Sequence, residues 1–291
     1  MKNIDVIGKR KISYILSAVI LLAGLVSLLF QGMNLGIDFT GGTTLNLKFD
    51  KQVEIADLRS TLNENDLEGS KIQLLDDGSY LLKTVEMDQA TQDKLMKNLE
   101  GEFGKADIVH SNLVGPSVGN ELKKNAIIAL GLAVLLMIAY IAFRFEIHFA
   151  VAGVVTLFHD IFIVVAIFSI FQLEIDSTFI AALLTIFGYS INDKIVVFDR
   201  IRENMGRIKK DQLSGLVNQS VGQSITRSLN TSISTLILLL ALFFFGGETT
   251  RVFVLAMIIG VVAGTYSSLF IASPMWYGMK MRLKGNRVDV K

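Results

Sequence analysis

Six apolar runs dominate the chain, at about Ile12–Phe30, Asn125–Phe143, Phe149–Phe171, Ser177–Phe198, Leu229–Phe245 and Val252–Tyr277. Roughly 20 such residues cross the hydrocarbon of a bilayer as a helix. Backbone in that medium must satisfy its own hydrogen bonds, so the runs can only be helices. A polytopic α-helical membrane protein with six transmembrane helices follows. The first run is too long and too uniformly apolar for a secretory signal, and it reads as an uncleaved anchor. Charged residues are 19% of the chain, below the roughly 25% of soluble domains. Cysteine is absent, which removes disulfides and thiolate metal sites.

Orientation follows from Lys and Arg beside the spans. Lys2, Lys9, Arg10 and Lys11 precede the first. Arg200, Arg202, Arg207, Lys209, Lys210 and Arg227 lie between the fourth and fifth. Lys280, Arg282, Lys284, Arg287 and Lys291 follow the sixth. These clusters share one side, and the opposite short loops are nearly bare. Both termini are therefore expected in the cytoplasm and residues 34–122 outside. That insert holds 8 Lys and Arg against 16 Asp and Glu.

The insert has its own pattern. Thr43–Phe49 alternates as a strand, and Val53–Asn65 has helical spacing. Lys71–Leu75 and Ser79–Val85 flank the turn signal Asp76-Asp77-Gly78. Asp88–Phe103 reads as a helix ending at Gly104, and Ala106–Leu113 as a last strand. The order β-α-β-β-α-β predicts a small α+β, ferredoxin-like domain. The expected plan is 1–11 cytoplasmic, 12–33 first span, 34–122 exported domain, 123–277 a five-helix bundle with a cytoplasmic loop at 199–228, and 278–291 a cytoplasmic tail.

The chemistry lies in the spans. A charge at bilayer depth costs about 2.5–3.5 kcal/mol on insertion scales. Nevertheless Asn192, Asp193 and Lys194 interrupt the fourth run, and His159-Asp160 sits mid-way along the third. Arg227 stands just before the fifth run, at the depth of Asp193, which makes the two candidate partners. Such a pair is either a fixed ion pair holding helices together or a relay in which a helix shift drives proton uptake and release at Asp193. His159 and Asp160 read as an interior polar pair, or as part of that relay. On the fourth helix Thr185, Tyr189, Asn192, Asp193, Val196 and Arg200 are expected on one face. The long stem of Lys194 is expected to snorkel to the membrane edge. Asp199, Arg200, Arg202 and Glu203 read as an ordinary helix end. Gly260 and Gly264 form a close-packing Gly-x-x-x-Gly face with Ser267 and Ser268. No nucleotide loop, metal-ligand spacing or nucleophile–base pair occurs, so neither an enzyme nor a cofactor or metal protein is expected.

In order along the chain stand Gly36-Ile37-Asp38-Phe39-Thr40-Gly41-Gly42, Val114-Gly115-Pro116-Ser117-Val118-Gly119, His159-Asp160 and Gly188-Tyr189-Ser190-Ile191-Asn192-Asp193. Val196-Val197-Phe198-Asp199-Arg200-Ile201-Arg202-Glu203-Asn204 and Arg227-Ser228-Leu229-Asn230-Thr231-Ser232 complete the set. Together these motifs closely resemble the SecF branch of the SecDF family, within the resistance-nodulation-division superfamily. The resemblance implies an accessory subunit of the bacterial Sec protein translocase in the cytoplasmic membrane. It would work with a separate SecD chain beside the SecYEG channel, with YajC and YidC as further partners. The proton-motive force would help complete export of unfolded presecretory polypeptides. Asp193 and Arg227 match the family's proton-coupling positions. Lys194 departs from the family pattern, which has a small hydroxyl residue there. Lipid is the only other expected contact, and no nucleic acid. The competing readings are a passive subunit that stabilises the translocon, and half of a small-molecule exporter.

Overall fold

A computed structural model describes residues 4–75, 77–206, 208–282 and 287–288. Lys2, Asp76, Arg207, Lys284 and Lys291, used above, lie outside them. The chain divides into two units, residues 35–127 and the remainder.

The smaller unit contains α2 (Ile37–Thr40) and β1 (Gly42–Phe49), then α3 (Ile55–Glu64), β2 (Lys71–Leu74), β3 (Tyr80–Thr84), α4 (Gln89–Phe103) and β4 (Ala106–Val114), with the first turns of α5 (Pro116–Arg144); α1 (Arg10–Phe30) precedes it. Its sheet order is β2-β3-β1-β4, every neighbour antiparallel. This is the arrangement of a split βαβ fold. Alternation on β1 puts Leu45 and Leu47 inward, where they meet Leu82, Leu58, Leu62, Leu95 and Leu99 in one core. Tyr80 sits within it because its hydroxyl is satisfied by the backbone of Val53, donating at 2.7 Å and accepting at 3.0 Å. Asp88 caps α4, accepting from the Thr91 N–H at 2.9 Å.

Two adjacent glycines make the corner between α2 and β1. Gly41 has φ +77°, and a Cβ there would lie 3.2 Å from Pro116 Cα. At Gly42 a Cβ would lie 2.4 Å from the Thr84 carbonyl oxygen. The left-handed backbone and the close approach both require glycine. Asp38 lies half-buried in α2.

The larger unit contains α1, the rest of α5, α6 (Ile147–Ile170), α7 (Ser177–Asn204), α8 (Leu213–Phe245), α9 (Glu248–Ser267), a π turn at Ser268–Ala272 and α10 (Ser273–Arg282). Among the described residues six helices are long and apolar enough to cross a membrane, as expected. Several extend well beyond the apolar runs. α5 starts at Pro116 rather than near residue 125, and α7 continues to Asn204. α8 begins at Leu213, so most of the expected loop 199–228 is helical. The interior is built from α6, α7 and the final helix, whose spans are 56%, 50% and 67% buried, whereas α5 is 6% buried. α9 packs on α6, α7 and α8, and α1 on α6.

Small residues set these crossings. A Cβ on Gly260 would lie 2.4 Å from Ile186 Cδ1, and one on Gly264 would lie 3.3 Å from Ser190 Cβ. On α1, a Cβ on Gly24 would lie 2.1 Å from Ala166 Cβ. Gly24→Val should therefore force α1 off α6, a strain of about 1–3 kcal/mol or more. Crosslinking cysteines placed at Ser27 and Ser169, whose hydroxyls are 2.8 Å apart, would check it by losing efficiency.

Asn218 of α8 holds the N-terminal segment. Its Oδ1 accepts from Val6 N and Ile7 N at 3.0 Å each. Val6 and Ile7 thereby join a buried cluster centred on Phe149, Phe198 and Trp276. Phe149 and Trp276 stack at 4.6 Å. The π turn precedes Pro274, whose ring clashes with the carbonyl four residues back and offers no N–H. The wider turn avoids that clash, and the Ser268 carbonyl accepts from Ser273 Oγ instead, at 3.3 Å.

Candidate functional site

Asp160 is fully buried on α6, and its carboxylate gathers groups from three helices. Oδ2 accepts from Ser190 Oγ at 2.5 Å, Lys194 Nζ at 2.6 Å and Ser267 Oγ at 2.8 Å. Oδ1 faces His159 Nδ1 at 2.9 Å, and His159 Nε2 faces Ser17 Oγ of α1 at 2.9 Å. If His159 donates to the carboxylate, Nε2 must accept from Ser17, so one neutral tautomer satisfies both bonds. Tyr266 OH, 3.5 Å from Ser17 Oγ, donates to the Ser13 carbonyl at 2.8 Å.

Lys194 corrects the sequence reading. It does not snorkel: its side chain is fully buried and ion-paired to Asp160. An ammonium has three protons to place, and Nζ donates to Asp160 Oδ2, Ser190 Oγ and Ser267 Oγ, the last at 3.1 Å. Helical side chains lean toward their own N-terminus, and here the stem turns back along α7 toward Ser190 rather than outward. A buried pair is tolerated only when such additional bonds are made.

Asp193 differs from its neighbour. It is buried beside Ser228 of α8 and Ser268 of the π turn. Its Oδ2 has no hydrogen-bond partner, and neither has Ser228 Oγ. Ser228 belongs to a buried row on α8, Ser220, Ser224, Ser228 and Ser232. The other three donate to carbonyls one turn back, at 2.9, 3.0 and 2.8 Å. Ser228 is the member that makes no bond back to its own helix, and it is the one facing Asp193. Tyr189 OH continues the polar seam, donating to Ser232 Oγ at 3.1 Å, and Ser232 meets Thr265 Oγ1 at 2.6 Å.

Asp193 and Arg227 are not brought together. Arg227 is exposed on α8, as are Asn230, Thr231 and Ser234. No ion pair joins it to Asp193 among the described residues. Asn192 and Gly188 are likewise exposed on α7. The expected grouping of Asp193 with Thr185 and Asn192 is also corrected. Asp193 lies on the buried face with Ile186, Ser190, Lys194, Val197 and Ile201, while Thr185 and Asn192 face outward. Asp199 pairs with Arg144 at 3.2 Å and with Arg202 at 3.1 Å, and Arg200 pairs with Glu203 at 3.0 Å, forming a surface helix end. Such pairs contribute about 0–1 kcal/mol. Ser17, Tyr266, and the ligand roles of Ser190 and Ser267 were missed from sequence. Serine in an apolar helix is common and carries no signal until its neighbours are known. Among the described residues no cluster of His, Asp and Glu could hold a metal ion.

Charge kept inside a six-helix bundle, with a small α+β unit between the first two spans, defines a multi-pass membrane protein of transport type. The family described as "Protein export membrane protein SecD/SecF, C-terminal" matches residues 94–282, and the "SecD/SecF GG Motif" matches residues 26–53. The protein translocase subunit SecF of Sebaldella termitidis is 40% identical, the match covering 94% of this chain and 91% of the relative. That of Acidaminococcus fermentans is 41% identical over 98% of this chain and 100% of its own length. The crystal structure of SecDF, a translocon-associated membrane protein from Thermus thermophilus, superposes with a TM-score of 0.86 at 35% identity. It covers 96% of this chain, which spans 39% of that longer one. The chain belongs to the SecF family of protein translocase subunits, and its role is in protein export.

Proposed function

We propose that the chain couples the proton-motive force to the late stage of export, as the partner of a separate SecD chain beside SecYEG. The observation that carries this reading is the free Asp193 oxygen, buried beside a free Ser228 hydroxyl and next to a fully satisfied Asp160–Lys194 pair. Among the described residues, Asp193 has a buried carboxylate oxygen that can take a proton without breaking an existing bond, whereas Asp160 Oδ2 is held by three donors. Ser228 can accept that proton from one side and donate to the carboxylate from the other. Moving one charge through 100 mV is worth about 2.3 kcal/mol, enough to shift a two-state bundle roughly fiftyfold.

SecD as partner is supported by the Thermus thermophilus SecDF, to which this chain is 38% identical over 39% of that relative's length. The exposed polar residues Arg227, Asn230, Thr231 and Ser234 on α8, and Asn192 on α7, support it further, because lipid is a poor neighbour for such side chains. Asn192 and Arg227 thus serve the coupling centre from the partner-facing side, where a second chain completes the proton path. The basic clusters support a reading with both termini in the cytoplasm and residues 34–122 outside, and the family supports the bacterial cytoplasmic membrane. There the small domain meets presecretory polypeptide, with YajC and YidC as further neighbours.

The test is export in vesicles carrying SecD, SecYEG and either this chain or Asp193→Asn, with assembly followed by pulldown. Export should lose its dependence on the proton-motive force while the complex stays intact. Unchanged export, or loss only through dissociation, would make the charges structural.

A further inference from the structure

Around Lys194 Nζ stand one carboxylate oxygen and two hydroxyl oxygens, from α6, α7 and α9, all buried. Ser190 and Ser267 both send their protons to Asp160 Oδ2. Their lone pairs are thus left for the positive centre at Nζ. Every contact of Nζ is therefore to oxygen, and the cage carries a single negative charge. Hard cations without directional bonding select such all-oxygen surroundings. His159 adds no second charge to the cage in its neutral form, and Asp193 points to Ser228 and Ser268 on another side. A divalent ion would leave net buried charge, which is costly. One positive charge fits.

We infer that Asp160, Ser190 and Ser267 form a monovalent-cation site that the Lys194 ammonium occupies as a tethered, non-exchangeable ion. Sodium is the cation the site would take in its place. Shortening residue 194 to serine removes the ammonium and opens the volume of its stem to water. It also adds a further hydroxyl, converting the cage into a sodium site. With lysine present the site is closed, so alkali cations do not compete at the centre. The inference deepens the coupling reading, since it says which ion the centre excludes. It is tested by binding and not by export, so either can fail alone.

The experiment is thermal unfolding of the purified full chain in detergent, in sodium, potassium or choline chloride at equal ionic strength. Lys194→Ser should show a saturable, sodium-specific rise in Tm. The unaltered chain should show none. Lys194→Ser combined with Asp160→Asn, which removes the cage's one negative charge, should also show none. A Lys194→Ser protein indifferent to sodium overturns the inference, and so does an equal sodium effect in the unaltered chain or in Lys194→Ser combined with Asp160→Asn. If Lys194→Ser folds in no salt, Lys194→Asn supplies a carbonyl oxygen on a longer stem. Its failure to respond to sodium overturns the inference in the same way.

Discussion

Lys194→Met should lower the stability of the helical bundle by about 3–5 kcal/mol, the usual cost of stranding one partner of a buried ion pair. Methionine replaces the stem in volume but leaves Asp160 with a buried charge and no cation. Two serine hydroxyls and His159 remain around that carboxylate, and they offset only part of the loss. The measure is unfolding in mixed micelles, comparing midpoints at constant lipid. Asp160→Asn combined with Lys194→Met should recover most of the loss, because the amide keeps an acceptor for the hydroxyls and no charge remains. That sign reversal in a double-mutant cycle is the signature of a pair. Two losses that simply add would mean that Lys194 and Asp160 do not interact.

The second large effect is expected in the small domain. Leu82 is fully buried in the sheet, opposite Leu45 on one side and Ile72 on the other. Leu82→Ala should cost about 2–5 kcal/mol. A domain of this size has only about 5–15 kcal/mol in total. Hydrogen exchange in the full chain would show β1 and β3 amides losing protection while the helices of the bundle keep theirs. Val109→Ala on β4, at a position 55% exposed, should stay within about 0.5 kcal/mol. Comparable losses at both sites would mean that the core is not organised around β1 and β3.

The fold was legible to different depths at different places. The strand and helix order of residues 42–114 could be read because period-2 and period-3.6 apolar patterns alternate there with turn residues at Gly78 and Gly104. The spans were legible as hydropathy, but their ends were not. α8 begins sixteen residues before Leu229, in a stretch whose buried side mixes Leu213, Val217 and Val221 with Ser220, Ser224 and Ser228 and so has no long apolar run. Hydropathy reports the solvent a segment prefers, not whether it is helical. The Lys194 error has a geometric cause. Counting from the loop that joins α6 and α7, Asp160 lies about 15 Å down one helix and Lys194 about 26 Å down the other. The two look mismatched in depth. The lysine stem, leaning back toward its own N-terminus, closes that gap. Arg227 failed in the opposite sense: it has the right depth but the wrong azimuth, since Ser228 takes the face toward Asp193.

The π turn at Ser268–Ala272 sets the phase of the last helix. Ser267, before it, reaches Asp160, while Trp276 and Lys280, after it, reach Phe149 and Glu146 on the same neighbouring helix. Both halves thus look toward α6, although an unbroken α-helix of this length would turn one of them about 100° away. The extra residue works like a spacer between two cams on one shaft. Deleting it would give a more regular helix, yet only one of the two faces could then stay in time with α6.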